Sequence, residues 1–176
     1  MTASKSKRYG IHQIGEVKDR EVFFDTNVLL LIFHEDYRND PRSDKYKKLF
    51  MKILTRRMEI FVNEIVLSEF YSFALRCERD KSNFPSVKAF RNSEAGIEAR
   101  EEIFGYMKAM LRQLQYIPSN LSLTEMTNQF TVDSLDFNDK LIAETCRKNN
   151  FVLVTDDADY VDAEIDVLSA NTVMVA

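Results

Sequence analysis

The stretch Phe151-Val152-Leu153-Val154-Thr155-Asp156-Asp157-Ala158-Asp159 constrains the fold more than any other part of this chain. Four consecutive apolar residues cannot alternate between a wet and a dry face. They suit a strand covered on both sides, as in a parallel sheet between helices. The acids that follow at once then lie beyond the carboxyl end of that strand, where open α/β sheets bind their ligands. Just upstream, Asp136 can cap a helix, because a short carboxylate accepts a bond from an unpaired amide of the first turn. Asp139, Ile142, Ala143 and Cys146 follow at helical spacing, so Asp139 falls on the side that faces the core. A carboxylate there is unexpected. Asn149-Asn150 then predicts the end of the helix.

With 176 residues, 45% apolar and 30% charged, the chain suits one well-cored domain. We expect a flexible N-terminal arm over 1–18 and a single domain over 19–176. No apolar run is long enough to cross a bilayer, and MTASKSKRYG lacks the hydrophobic stretch of a secretory signal, which predicts a soluble cytoplasmic protein. Cys77 and Cys146 fall on apolar helix faces and read as reduced core residues. A net charge of -4 gives no global attraction to nucleic acid, although a local basic patch could still contact phosphates.

Val22-Phe23-Phe24 reads as a first strand that ends abruptly in Asp25-Thr26-Asn27, before a buried helix over Val28 to Phe33. Asp, Thr and Asn are ordinary capping residues at such a junction. A helix from about Asp44 to Arg57 follows, with Lys45, Lys48, Lys52 and Arg56 on one exposed line that reads first as a solvated face and second as a phosphate-contacting ridge. Glu59 to Val62 reads as a short strand, with Asn63 placed to cap the next helix. That helix, Glu64 to about Arg79, buries Ile65, Val66, Phe70, Phe73, Ala74 and Cys77, and Glu69 sits among them. A buried acid is costly, so Glu69 needs a basic partner or a metal. Residues 81–92 read as an exposed excursion, Ser93 to Leu114 as a long amphipathic helix, 115–118 as a short strand and 121–130 as a weakly marked helix. Residues 164–168 suggest a peripheral strand and 172–175 a terminal one.

Asp25, Glu69, Asp139 and Asp157 thus stand out by position. A parallel sheet brings strand ends and helix starts to one edge, and several acids share such an edge only if something neutralises them. Mg²⁺ and Mn²⁺ prefer carboxylate and water oxygens and suit phosphate substrates. The two histidines and two cysteines show no ligand spacing in sequence, which argues against zinc.

The segments FFDTNVLL, VLSEFY, DFNDKLIAETC and LVTDDADY, spanning Phe23 to Tyr160, resemble in order and character the motifs of the PIN-domain nucleases. The resemblance implies a three-layer α/β/α fold with a central, mainly parallel sheet. It also implies an acidic pocket that binds Mg²⁺ or Mn²⁺ and hydrolyses RNA. By motif position Asp25, Glu69, Asp139 and Asp157 would be the catalytic, metal-binding acids, while Asn27 and Thr155 would hold the carboxylates or contact substrate. Within the acid cluster the family pattern selects Asp157, with Asp159 a further candidate and Asp156 in the variable place. Glu64, slightly out of phase with the apolar face, is the alternative to Glu69. Many small bacterial members are toxins inhibited by an antitoxin protein, and homodimers are expected, although residues 81–130 are longer than in the most compact members. The alternatives are a non-catalytic PIN-like module that binds RNA or protein, and a phosphotransfer or phosphatase domain. No second acid follows two residues after Asp25, which disfavours the last.

Overall fold

The computed structural model describes residues 6–17 and 19–175. Six short strands, β1 (Arg8–Gly10), β2 (Val22–Phe24), β3 (Ile60–Val62), β4 (Gln115–Tyr116), β5 (Val152–Val154) and β6 (Val167–Ser169), form one sheet in the order β1-β6-β5-β2-β3-β4. Every pairing is parallel. Helices flank the sheet: α1 (Thr26–Phe33), α2 (Pro41–Thr55), α3 (Glu64–Lys81), α4 (Val87–Arg91), α5 (Glu94–Met110), α6 (Leu123–Thr127) and α7 (Phe137–Asn149). This is the three-layer α/β/α arrangement expected. From β2 the chain builds outward to β3 and β4, then returns to place β5 on the other side of β2. The strand order therefore reverses between β2 and β5, which opens a crevice at their carboxyl ends.

The two strands at that reversal are the most apolar. Val22, Phe23, Phe24, Val152, Leu153 and Val154 are all fully buried. The predicted two-sided cover is real, and Phe151 adds an aromatic stack on Phe61 with ring centroids 4.6 Å apart. α1 is apolar nearly all round, so it is buried nearly all round, packed against α2 and α3. α7 begins in a reciprocal capping box: Asp139 N–H donates to Asp136 at 2.9 Å, and Asp136 N–H donates back at 3.3 Å. It ends at Asn150, whose left-handed backbone (φ 57°) closes the helix.

Several expectations are corrected. The arm expected over 1–18 is ordered in its described second half: Arg8–Gly10 joins the sheet through β6, and Ile11–Glu16 is a 3-10 helix with Ile14 buried. The anchor is polar, which is why a search for apolar residues misses it. The Arg8 guanidinium donates to the carbonyls of Ile165 (2.6 Å), Ala163 (2.5 Å) and Val161 (2.8 Å). Residues 1–5 and 18 of that predicted arm lie outside the described residues. β6 consequently sits inside the sheet, not at its periphery, and Thr172–Met174 is a turn and not a strand. The excursion at 81–92 contains α4, whose Phe90 is buried with Ala74, Leu75 and Ile103 in a small satellite core. α5 crosses α4 closely enough that a Cβ on Gly96 would meet the Phe90 carbonyl oxygen at 1.9 Å. The helix expected over 121–130 is only the single turn or so of α6. Lys45, Lys48, Lys52 and Arg56 are all exposed on α2, as expected.

Candidate functional site

The crevice at the strand reversal is an open cleft of about 480 Å³ lined by Asp25, Glu69, Asp139 and Asp157, together with Thr26, Asn27, Asn138 and Arg76 among others. Asp25 ends β2 and caps α1. One of its oxygens accepts from the Thr26 amide at 2.7 Å. The other accepts from the Thr155 hydroxyl at 2.6 Å and from the Asn27 side-chain amide at 2.6 Å. The same Asn27 amide reaches Thr155 Oγ1 at 3.1 Å, and Asn27 Oδ1 takes the Asp156 N–H at 3.0 Å. Asn27 and Thr155 thus tie the ends of β2 and β5 together around one buried carboxylate.

Glu69, on α3, is half-buried. Its two oxygens accept from the Thr26 hydroxyl at 2.5 Å and the Asn138 amide at 2.6 Å, so its side-chain partners are neutral donors and the basic partner, one of the two expected, is not among them. Asp139 is steadied by the Tyr160 hydroxyl at 3.0 Å and by the capping box. Asp157 accepts from the Asp159 N–H at 2.9 Å, while its own N–H donates to Thr155 Oγ1 at 3.0 Å.

The remaining acids sort themselves by contact. Glu64 is exposed and held by the Ser119 hydroxyl at 2.5 Å, outside the cleft, so Glu69 is the α3 acid that faces it. Asp156 turns away to pair with Arg42 at 2.9 Å and to accept from the Tyr46 hydroxyl at 2.9 Å. Asp159 is exposed and does not line the cleft. Sequence reasoning missed Thr26, Asn138 and Tyr160, the neutral residues that aim the carboxylates. For Thr26 and Asn138 the signal was adjacency, since each stands one residue from a selected acid, in DTN and in FND; Tyr160 lies 21 residues from Asp139, the acid it bonds, and carried no such signal.

Burial pushes the Asp25 carboxyl up to about 7; the Thr155 and Thr26 bonds oppose this, and the charges of Asp139 and Glu69 add to it. Burial likewise lifts Asp139 to about 6, against the Tyr160 bond and reinforced by Asp136 and Asp157. Among the described residues none of the four acids forms an ion pair. The cleft is therefore a set of oxygen donors with surplus negative charge, lined by one cation, Arg76, that pairs with none of the four acids, and its donor chemistry suits Mg²⁺ or Mn²⁺. No three of these acids bring oxygens within 4.8 Å of one another. Direct ligation of one ion by three of them would therefore need side chains to move, whereas one or two direct carboxylates and several waters would not.

His34 and Cys77, unrelated by sequence spacing, converge with Asp36 away from the acid cleft. Cys146 is the buried core thiol expected, whereas Cys77 is only partly buried.

No curated protein matches the sequence. Solved structures do match the fold. FitAcB from Neisseria gonorrhoeae aligns with a TM-score of 0.56 at 13% identity, covering 84% of this chain and 96% of that one. DNA-bound VapBC from Salmonella typhimurium gives 0.53 at 13% identity, with 86% and 98% covered. PAE2754 from Pyrobaculum aerophilum gives 0.52 at 15% identity, with 88% and 87% covered. The PIN domain family model matches residues 22–165, from the first residue of β2 to just short of β6 and across all four cleft acids. On that match, which takes in most of the sequence, the chain belongs to the PIN-domain family.

Proposed function

We propose that the protein is a Mg²⁺- or Mn²⁺-dependent endoribonuclease and the toxin half of a toxin–antitoxin pair. The observation that carries the catalytic reading is the cleft itself: four acids from four separate segments face one space at the strand reversal, with no ion pair among them. A bound divalent cation would orient a water, lower its pKa and stabilise charge on the phosphoryl oxygens. Asp25, Glu69, Asp139 and Asp157 would hold it, directly or through water. Asn27 and Thr155 fix the Asp25 carboxylate, Thr26 and Asn138 fix Glu69, and Tyr160 fixes Asp139, so little reorganisation is needed when the cation enters. Asp25 and Asp139, lifted to about 7 and about 6, must release their protons to ligate, which makes metal loading stronger as pH rises through that range.

The toxin reading rests on the family resemblance, with fold neighbours whose names include VapBC and FitAB bound to DNA. The partners proposed are an RNA substrate, an antitoxin protein and a second copy of the chain. No helix among the described residues is long and apolar enough to cross a membrane.

A Mn²⁺ titration followed by electron paramagnetic resonance, on the wild type beside Asp139→Asn, tests the metal site first. Saturable binding that weakens in the variant supports the reading, and cleavage of single-stranded RNA that requires Mg²⁺ or Mn²⁺ and stops with chelator completes it. No binding at millimolar Mn²⁺ would leave a non-catalytic RNA- or protein-binding module in its place. Unaffected growth on induced expression would refute the toxin role.

A further inference from the structure

We propose that His34, Asp36 and Cys77 form a second cation site, distinct from the acid cleft, for a borderline-soft divalent ion such as Zn²⁺. Two pieces of backbone supply the three residues: His34 closes α1 and caps the 3-10 turn Glu35–Tyr37 that carries Asp36, and Cys77 comes from α3, two turns beyond Glu69. One ligand atom from each lies within 4.8 Å of the others. His34 Nδ1 stands 3.8 Å from Asp36 Oδ2. Around a tetrahedral zinc, with bonds of about 2.0 Å to nitrogen or oxygen and about 2.3 Å to sulfur, donor atoms sit roughly 3.3–3.8 Å apart. The trio lies within about 1 Å of that spacing, and an ion held by His34 Nδ1 would displace the Asp36 N–H that donates to it at 3.3 Å.

The surroundings are those of a site more than of a chance cluster. The His34 ring is fixed edge-on by Tyr37, Phe70 and Phe73, with centroids at 6.4, 6.2 and 5.5 Å. Its side chain is only 9% exposed. Asp36 divides its two oxygens: Oδ2 faces His34, while Oδ1 takes the Lys81 ammonium at 3.1 Å. That is how a carboxylate bound to metal through one oxygen is commonly held at the other. Lys81 also pairs with Glu35 at 2.6 Å and Glu78 at 2.9 Å, so one ammonium stands against three carboxylates and the neighbourhood stays negative. Imidazole and thiolate select zinc, or cobalt as its probe, over Mg²⁺. On binding, the Cys77 S–H bond breaks, its proton goes to solvent and the sulfur becomes a thiolate ligand; water would take the fourth position. The ion would clamp the end of α1 to α3, the two helices whose opposite portions carry Thr26 and Glu69.

The test is a Co²⁺ titration of the full chain, read by absorption, for the wild type, Cys77→Ser and Asp139→Asn. The expected result is one equivalent of tetrahedral Co²⁺ with a thiolate charge-transfer band, lost in Cys77→Ser, kept in Asp139→Asn and displaced by Zn²⁺. A second measurement needs no variant: Zn²⁺ should slow alkylation of Cys77, located by mass spectrometry against the buried Cys146, by about tenfold or more. Absence of both the thiolate band and the protection at millimolar metal overturns the site. So does a Co²⁺ spectrum that survives Cys77→Ser and vanishes in Asp139→Asn, which would put the ion in the acid cleft. Neither outcome depends on whether the chain cuts RNA.

Discussion

The buried Asp25 carboxyl should make the metal-free protein lose stability as pH rises. Its pKa moves from an ordinary 3.8 to about 7 in the fold, so between those values the native state holds a proton that the unfolded chain has released. Its contribution is fully present below about pH 4 and is lost as pH climbs through 7. Each pH unit with one extra native proton costs about 1.4 kcal/mol, and the difference shrinks near pH 7, so pH 5 to 7.5 should remove about 2–3 kcal/mol. For a domain of this size that is roughly 5–10 °C in Tm. His34 acts with the opposite sign: burial lowers its pKa, so its contribution is lost as pH falls. Asp25→Asn retains His34, and the difference between the wild-type and variant curves isolates the carboxyl. Thermal unfolding in chelator should show that difference shrink by about 2–3 kcal/mol in favour of the variant between pH 5 and 7.5. Saturating Mn²⁺ should then stabilise the wild type most above pH 7, where the carboxylate is free, by about 2.7 kcal/mol at a hundredfold excess over Kd. Parallel wild-type and Asp25→Asn curves in chelator would refute the claim that this carboxyl is held protonated by its burial.

Glu69→Gln should reduce Mn²⁺ affinity and cleavage about tenfold or more, whereas Glu64→Gln should leave both unchanged and lower stability by about 1 kcal/mol through its Ser119 bonds; equal effects in a metal titration would reverse that assignment. Gly96→Ala drives a methyl into the Phe90 carbonyl and should cost about 1–3 kcal/mol in a urea melt, since α4 and α5 must part to admit it. Phe137 (45% exposed) and Phe130 (66% exposed) lie with ring centroids 5.6 Å apart beside Asn138 of the cleft, so Phe137→Ala should weaken single-stranded RNA binding by about 1–3 kcal/mol if a base stacks there, measured by anisotropy on an inactive Asp139→Asn background.

The parallel sheet was legible because its two central strands are apolar runs too uniform for any half-wet surface. Phe23-Phe24 and Val152-Leu153-Val154 needed no partner to be recognised. The edges were less legible. β1 is Arg-Tyr-Gly, and its place in the sheet depends on a guanidinium that satisfies carbonyls about 150 residues away, a debt that no local pattern records. β6 looked peripheral for the same reason, since it became internal only when β1 covered it. Val173 and Met174 have strand propensity, but Met174 is buried from a turn, where burial and not pairing determines the outcome.

Within the cleft, the capping and catalytic readings of Asp25 and Asp139 are not rivals. Asp25 spends one oxygen on the first amide of α1, and Asp139 spends one on the Asp136 amide, as capping residues do. What distinguishes them is the remainder. Asp25 has three donors on a carboxylate that nevertheless rises to about 7, because the loss of water, with a smaller push from the charges of Asp139 and Glu69, outweighs those bonds. A helix cap alone would gain nothing from standing beside Glu69 and Asp139, and its pKa would fall, not rise. Protonation relieves that cost in the metal-free protein, and a cation that binds the charged form would relieve it in another way. Sequence could single out Glu69 and Asp139 because helical spacing set them against the core, and Asp25 and Asp157 because they follow the ends of apolar strands. It could not show that Thr26, Asn138 and Tyr160 aim them, since those donors reach the carboxylates only after α1, α3 and α7 converge on the β2–β5 reversal. Replacing Thr155 by Val, which removes a donor and keeps the shape, should lift Asp25 further and weaken Mn²⁺ binding at pH 7 while the fold persists by circular dichroism. Unchanged affinity would mean that the hydroxyl serves only to join the two strands.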